Sequence, residues 1–388
     1  MSTDEELYAG REQTLVKHFI FGNYLQRLAY IVGFKWSSIT YVDGFSGPWN
    51  ARSSDYRDSS FAIALEELRK AQQTHLSRGK DLKIRCYFIE KELGASSALE
   101  NFAASQRAPD TEIKTFEGEF QEAIPDIVHF IKGGGPATFP FIFIDPKGWT
   151  GYALEKIMPL FVFSRVEIMI NFQTRFISRF ISLQETRESF QALFGSEDVR
   201  ERILGLQRSE REEASVNEYC KCLKQAGGFK FVTVAIVLRP ESNRTHFHLI
   251  YATKHAKGVD VFKDAERKSV PLMHKARADA QSRRRVQRKG QLELLPSKDM
   301  YDESYYDSLR NQFCNRAKQD IKAILQQRHS GFYDDIWTVA LSHPLVWEQD
   351  LREWLKKWQA DRLVICEGMK SGQRVPKRGQ RIRVVWKR

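Results

Sequence analysis

A doubly wound, mostly parallel α/β sheet is the fold class this sequence predicts, and three observations carry the prediction. Short apolar runs alternate with helical patterns over roughly the first 250 residues; most of the runs end at a turn or an acid; and the last two are joined by a link too short to hold a helix.

Taken in order, Ile39 to Val42 reads as a buried strand running into the turn sequence Asp43-Gly44-Phe45-Ser46-Gly47-Pro48. Phe61 to Ala71 has helical spacing through Ile63, Ala64, Leu68 and Ala71, and Ile84 to Ile89 is a second strand ending at Glu90. Leu93 to Phe102 is the next helix, Ile113 to Phe116 a third strand, and Phe120 to Ile131 a helix closed by Gly133-Gly134-Gly135. Phe139 to Ile144 is a continuous apolar run of the kind found in mid-sheet, ending at Asp145-Pro146, and Val166 to Ile170 is a fifth strand. Such alternation implies βαβ units with right-handed crossovers. Phe231 to Leu238 and His246 to Ala252 are separated only by Arg239 to Thr245, so they must pair as an antiparallel hairpin. Five parallel strands followed by an antiparallel pair are the strand complement of a class I methyltransferase-like (Rossmann-like) sheet rather than of a plain doubly wound dehydrogenase.

Further elements are appended to this sheet. A charged helical insertion covers about residues 173–228, with Glu and Arg concentrated from Gln184 to Arg211; a cap of solvated helices and a lid facing the substrate are both open to it. Cys220-Lys221-Cys222 falls inside it as helical core. Asp320 to Gln327, Asp335 to Ala340 and Glu348 to Asp361 read as helices, and Leu363 to Cys366 with Ile382 to Trp386 as strands around a glycine-rich turn, which resembles a winged helix. On Glu348 to Asp361, Leu351, Trp354, Leu355 and Trp358 form a core stripe. The expected domains are 1–258, methyltransferase-like; 259–330, a basic helical connector; and 331–388, a winged-helix-like basic region.

With 42% hydrophobic and 28% charged residues, the chain is neither disordered nor a disulfide-stapled miniature. The net charge of +12 is unevenly placed: His274 to Gly290 holds seven basic residues against one acid, and Gly368 to Arg388 holds eight against none, which leaves the rest near neutral. A basic half points to nucleic acid, DNA or RNA, as partner. Arg283, Arg284, Arg285, Arg288, Lys289, Lys377, Arg378 and Arg381 are the candidates to hold its phosphates. The five cysteines make neither a CxxC pair nor an even framework, and His246 with His248 lacks a third ligand, so no metal is expected. A polar, acidic start and the interrupted apolar stretch from Met158 to Phe172 give no signal peptide and no membrane span, so a cytoplasmic setting is expected.

Chemistry is predicted at the strand ends, because ligands of open parallel sheets bind outside the carboxyl ends of the strands. Those ends supply Asp43 with Gly44, Phe45 and Gly47, then Glu90, then Glu117 and Glu119, then Asp145. Glycines let backbone approach a ligand, and an acid after the second strand can accept both hydroxyls of a ribose, a pattern that fits an adenosine-bearing cofactor.

The segments Lys17-His18-Phe19-Ile20-Phe21, Tyr41-Val42-Asp43-Gly44-Phe45-Ser46-Gly47-Pro48, Phe141-Ile142-Phe143-Ile144-Asp145-Pro146-Lys147-Gly148-Trp149 and His248-Leu249-Ile250-Tyr251-Ala252-Thr253 resemble the three-Cys-motif partner family, TcmP, over most of the chain. That family resembles class I S-adenosylmethionine-dependent methyltransferases, and its members occur beside proteins with a radical-enzyme-like three-cysteine motif. The resemblance implies S-adenosyl-L-methionine as cofactor, with Asp43, Gly44 and Gly47 in its loop and Glu90 on its ribose. It puts Asp145-Pro146-Lys147-Gly148 where enzymes that methylate exocyclic amines of bases carry an Asp-Pro-Pro-Tyr type of motif. In that role Asp145 and a nearby backbone carbonyl accept hydrogen bonds from the amine. Lys147 departs from the pattern where an aromatic is wanted, and Trp149 is the residue that could stack on the base instead. A base in a duplex must first leave the stack, which basic residues on the backbone would assist.

Two other functions fit parts of the sequence. A non-catalytic nucleic-acid-binding adaptor would keep the sheet and use the basic half. A metal-dependent nuclease would use Pro125-Asp126 with Asp145-Pro146-Lys147, although Asp126 falls in a helical pattern rather than on the strand such a core needs.

Overall fold

The structure, a computed structural model, describes residues 6–47, 51–290 and 296–387, with the side chain of Lys289 also outside the description. Two compact units divide the chain: Met1–Val232 with Ile236–Met300, and Tyr301–Arg388 with Thr233–Ala235.

The sheet strands are β1 (Ser38–Asp43), β2 (Lys83–Glu90), β3 (Thr111–Glu117), β4 (Thr138–Ile144), β5 (Glu167–Phe172), β6 (Phe231–Leu238) and β7 (Thr245–Thr253). Each expected strand is present, in the order β3-β2-β1-β4-β5-β7-β6. Strands β1 to β5 are parallel, whereas β7 runs antiparallel to β5 and seats itself between β5 and β6. Every residue of β1, β4 and β5 is buried, which is why they read as unbroken apolar runs, while β3 at the edge alternates between exposed and half-buried residues. Strand order reverses between β1 and β4, and the ligand crevice of such a sheet opens at that point.

The helix Glu12–Val32 covers the sheet, with Val16, Ile20, Tyr24 and Leu28 buried along one side and the ring of Phe21 4.5 Å from that of Phe143. The helix Ala256–Lys289 packs on it. This corrects the expected connector at 259–330. Val259, Phe262, Ser269, Met273 and Ala276 are buried at helical spacing, so the helix belongs to the first unit, which runs on to Met300. The expected helix from Phe120 instead starts at Ile124, since Phe120 to Ala123 form a turn ahead of Pro125. Between β5 and β6 the insertion holds the helices Thr174–Phe180, Arg187–Phe194, Glu197–Leu204 and Arg211–Gly227.

In the second unit the order is helix Ser304–Arg328, strand β8 (Ser330–Phe332), helices Tyr333–Ser342 and Glu348–Ala360, and strands β9 (Val364–Glu367) and β10 (Arg383–Trp386). The three strands pair antiparallel as β8-β10-β9. Leu351, Trp354, Leu355 and Trp358 are buried as a core stripe, with Trp337 fully enclosed. Among the described residues no helix is long and apolar enough to cross a membrane.

Candidate active site

The registers of β1, β2, β3 and β4 bring their carboxyl ends to one edge, with Glu90 opposite Glu117 and Asp43 flanked by Phe88 and Phe143. A cleft of about 430 Å³ opens there, within the range of small-molecule sites. Gly44 and Phe45 enter it from β1, Ile89 and Glu90 from β2, Gly118 and Phe120 from β3, and Asp145, Lys147 and Gly148 from β4. The turn after β3 depends on Gly118, whose φ of +147° is open to glycine. It swings Phe120 over the cleft, where its ring lies 5.7 Å from that of Phe45. A Cβ on Gly44 would stand 2.9 Å from the Phe120 ring, so the first loop can lie under that ring only as glycine.

Glu90 is buried at the end of β2, and its Oε1 accepts the Glu92 N–H at 2.8 Å. A carboxylate has further lone pairs, and Glu90 is one of the residues that line the cleft. Asp43 does not line the cleft. It is fully buried, with Oδ2 accepting from Tyr41 (2.8 Å) and Ser60 (2.6 Å) and Oδ1 from the Phe45 N–H (3.2 Å). Its role is to shape the loop, and burial above all pushes its carboxyl up to about 6 against the pull of those donors. Gly47 and the exposed Glu117 also stand outside the lining, while Glu119, two residues on, is part of it. Pro48 lies outside the described residues.

At the other end of the cleft, Asp145 is held from two sides. Lys17, from the first helix, forms an ion pair with Oδ2, and Asn171 Nδ2, at the end of β5, donates to Oδ1 at 2.5 Å. Asn171 Oδ1 is buried with no hydrogen-bond donor among the described residues. An orphaned buried acceptor of this kind costs about 1–3 kcal/mol. Pro146 is buried, and its carbonyl accepts from Gln173 Nε2 at 3.3 Å. Lys147 lies exposed at the rim.

Trp149 faces the insertion instead of the cleft. Its ring stacks on Phe190 at 5.4 Å and 7°, its Nε1 donates to Ser189 Oγ at 3.0 Å, and Phe180 lies 5.0 Å away. That apolar cluster outbids solvent for the indole, so Trp149 anchors the insertion to the β4 loop.

The basic candidates are partly absorbed by the fold. Arg283 pairs with Glu12; Arg284 donates to the Glu241 carbonyl at 3.2 Å; Arg285 is partnered; Arg288 is exposed. In the second unit Arg378 lies 4.4 Å from the Trp337 ring centre, while Lys377 and Arg381 are exposed. The two groups fall in different units. Asp126 sits in the first turn of the helix Ile124–Gly133, exposed and 3.8 Å from Lys114, and so does not provide the strand carboxylate a nuclease core requires. No group of three or more metal-binding side chains occurs among the described residues.

The fold is methyltransferase-like. Its strand order and its one antiparallel strand next to β5 establish that. No family model and no curated protein matches the chain. Among solved structures, a candidate caffeoyl-CoA O-methyltransferase from Staphylococcus aureus overlaps 59% of this chain and 82% of its own, at 12% identity and a TM-score of 0.29. An O-methyltransferase from Bacillus cereus in complex with SAH overlaps 60% and 80%, at 16% identity and a TM-score of 0.28. A loganic acid methyltransferase with SAH overlaps 74% and 92%, at 8% identity and a TM-score of 0.30. Likeness at this level carries no information on substrate.

Proposed function

We propose that this chain is an S-adenosylmethionine-dependent methyltransferase acting on a nucleic-acid base, working beside a three-Cys-motif partner protein. One observation carries the reading: a single cleft at the switch point is lined by the Glu90 carboxylate on one side and on the other by Asp145, which Asn171 holds from behind. The residues fit the cofactor. Glu90 offers acceptors to a ribose diol, Ile89, Phe45 and Phe120 offer apolar walls to an adenine, and Gly44 keeps the loop close. When bound, S-adenosylmethionine supplies a methyl group on a positively charged sulfur.

The chain's own task is then alignment, since in-line transfer to an amine needs placement more than a strong base. Asp145 is an acceptor suited to an exocyclic amine, and Lys17 and the Asn171 amide fix its carboxylate in position. The helix-strand-helix-helix-strand-strand order of the second unit suits a winged helix, with Lys377 and Arg381 exposed beyond β9 as phosphate contacts. Five cysteines, none bonded to another, suit a reducing cytoplasm. Membership of the three-Cys-motif partner family is the part of this reading carried by sequence motifs alone.

Titration calorimetry with S-adenosylmethionine and S-adenosylhomocysteine tests the cofactor half. Wild type should bind both, and Glu90→Ala should weaken binding by about 2 kcal/mol, roughly thirtyfold, the worth of hydrogen bonds to a charged acceptor. Wild type that binds neither would sink the proposal. Labelled methyl transfer to DNA, RNA or co-expressed partner tests the other half. Binding without transfer would favour the adaptor, a reading that the turning of Trp149 into the insertion supports.

A further inference from the structure

The β6–β7 hairpin returns to the edge of the sheet where the cleft opens. Strand β7 runs antiparallel to β5 with His248 opposite Phe172, so Thr245 and His246 lie beyond the end of β5. From that end the chain enters the helix Thr174–Phe180, which carries Arg175. Across the hairpin, the Arg239 N–H donates to the Arg244 carbonyl at 2.9 Å, placing these two arginines side by side at its tip. The tip is built to hold them. Arg277, 1% exposed, donates to the Ser242 carbonyl at 2.9 Å and to Asn243 Oδ1 at 2.8 Å, and also caps the Arg239 carbonyl.

Positive charge gathers here with little to balance it. Among the described residues none of Arg175, Arg239 and Arg244 forms an ion pair, and Arg239 Nε is buried with no acceptor. The His246 imidazole is pushed down to about 4, first by burial and then by the charges of Arg239, Arg175 and Lys17. The Arg239 guanidinium is itself lowered, by burial and then by Arg175 and Arg244. The nearby acid is Glu212, which accepts from Thr174 at 2.9 Å; burial raises its carboxyl against the pull of Arg239 and Arg244. His248, buried and 3.3 Å from the same Thr174 hydroxyl, is held neutral by burial and adds no charge. Lys17 is committed to Asp145 and lies 5.9 Å from the Phe247 ring, which ties the group to the candidate transfer site.

We propose that Arg175, Arg239 and Arg244 form a subsite for a phosphate group of the substrate, on the opposite side of Asp145 from Glu90 along the sheet edge. Guanidinium forks match phosphate oxygens, and an anion there would relieve the repulsion among three like charges and give Arg239 Nε its acceptor. The role of this anion as part of a methyl acceptor rests on the methyltransferase reading, whereas its binding does not. A phosphodiester of a nucleic acid and a phosphate monoester of a free nucleotide share this chemistry.

The test uses the full chain, wild type and the double variant Arg175→Gln/Arg244→Gln, whose exposed positions leave the core untouched, with Arg239→Gln as a second variant. Inorganic phosphate, a mononucleotide and a single-stranded oligonucleotide are the probes, and S-adenosylhomocysteine is titrated separately. In wild type, phosphate should raise the His246 titration midpoint followed by NMR, because a bound anion favours the imidazolium. In the variants that shift should vanish, and binding of whichever organic probe is preferred should weaken by about tenfold or more, with S-adenosylhomocysteine affinity unchanged. A preferred oligonucleotide with a salt slope that drops in the variants assigns a phosphodiester; a preferred mononucleotide assigns a monoester. Equal binding of all probes by wild type and variants, or an unmoved His246, overturns the subsite. If phosphate acts as expected while S-adenosylhomocysteine binds nowhere, the subsite stands and the methyltransferase reading falls.

Discussion

For the proposed methyl transfer, Lys17→Met should lower kcat by about a hundredfold while changing S-adenosylhomocysteine affinity less than about twofold, the signature of lost alignment rather than lost binding. Lys17 reaches from the helix Glu12–Val32 across the end of β4 to Asp145 and is itself mostly buried. Its ammonium and the Asn171 amide each take one oxygen of the carboxylate, so the group cannot rotate and its remaining lone pairs point in fixed directions. Methionine keeps the length and the apolar packing but leaves Asp145 with one donor, and the carboxylate becomes free to turn. Lys17→Arg, which restores the charge, should recover part of the rate. Thermal unfolding of Lys17→Met close to that of wild type, together with the rate loss, separates positioning from folding. A wild-type rate in Lys17→Met would show that the pair has no part in transfer.

The strands were legible because β1, β4 and β5 are buried on both faces, and burial on both faces writes an uninterrupted apolar run into a sequence. Their ends were legible for the same reason: Glu90 and Asp145 stand where an apolar run stops. What escaped was information held in three dimensions. Asn171 is a polar residue inside Ile168 to Phe172, and only the pairing of β4 with β5 sets it beside Asp145. Lys17 belongs to a segment separated from β4 by well over a hundred residues. Trp149 follows the Asp-Pro sequence closely enough to suggest a stacking partner, yet Phe180 and Phe190, which claim it, come from the insertion. The basic run from His274 to Gly290 reads as free charge, but Arg277 is buried under the hairpin and Arg283 is paired with Glu12. Charge composition counts residues, whereas available charge depends on which of them the fold has already neutralised.

Asp43→Asn should stabilise the chain at neutral pH relative to acid, by about 3 kcal/mol across the window from pH 4 to above 6. The direction follows from proton binding. Burial raises the folded pKa of Asp43 to about 6, so between roughly pH 4, where the unfolded side chain ionises, and 6 the folded chain keeps a proton that the unfolded chain has released. Raising the pH through that window therefore removes stability, fully present below it and lost above it. Asparagine has no such proton to lose. It can still accept from the Phe45 N–H, and the Tyr41 and Ser60 hydroxyls can reorient to accept from its amide. Unfolding free energies of wild type and variant from denaturant titrations at several pH values give the comparison, and their difference should grow with pH and then level off. A difference independent of pH would mean that the donors from Tyr41, Ser60 and the Phe45 amide fully offset burial, leaving the folded carboxyl to titrate where the unfolded one does. The same variant tests that Asp43 shapes the loop without touching the cofactor. A side chain wholly engaged beneath the loop leaves S-adenosylhomocysteine affinity unchanged when replaced by its isostere, whereas one that touches the cofactor does not.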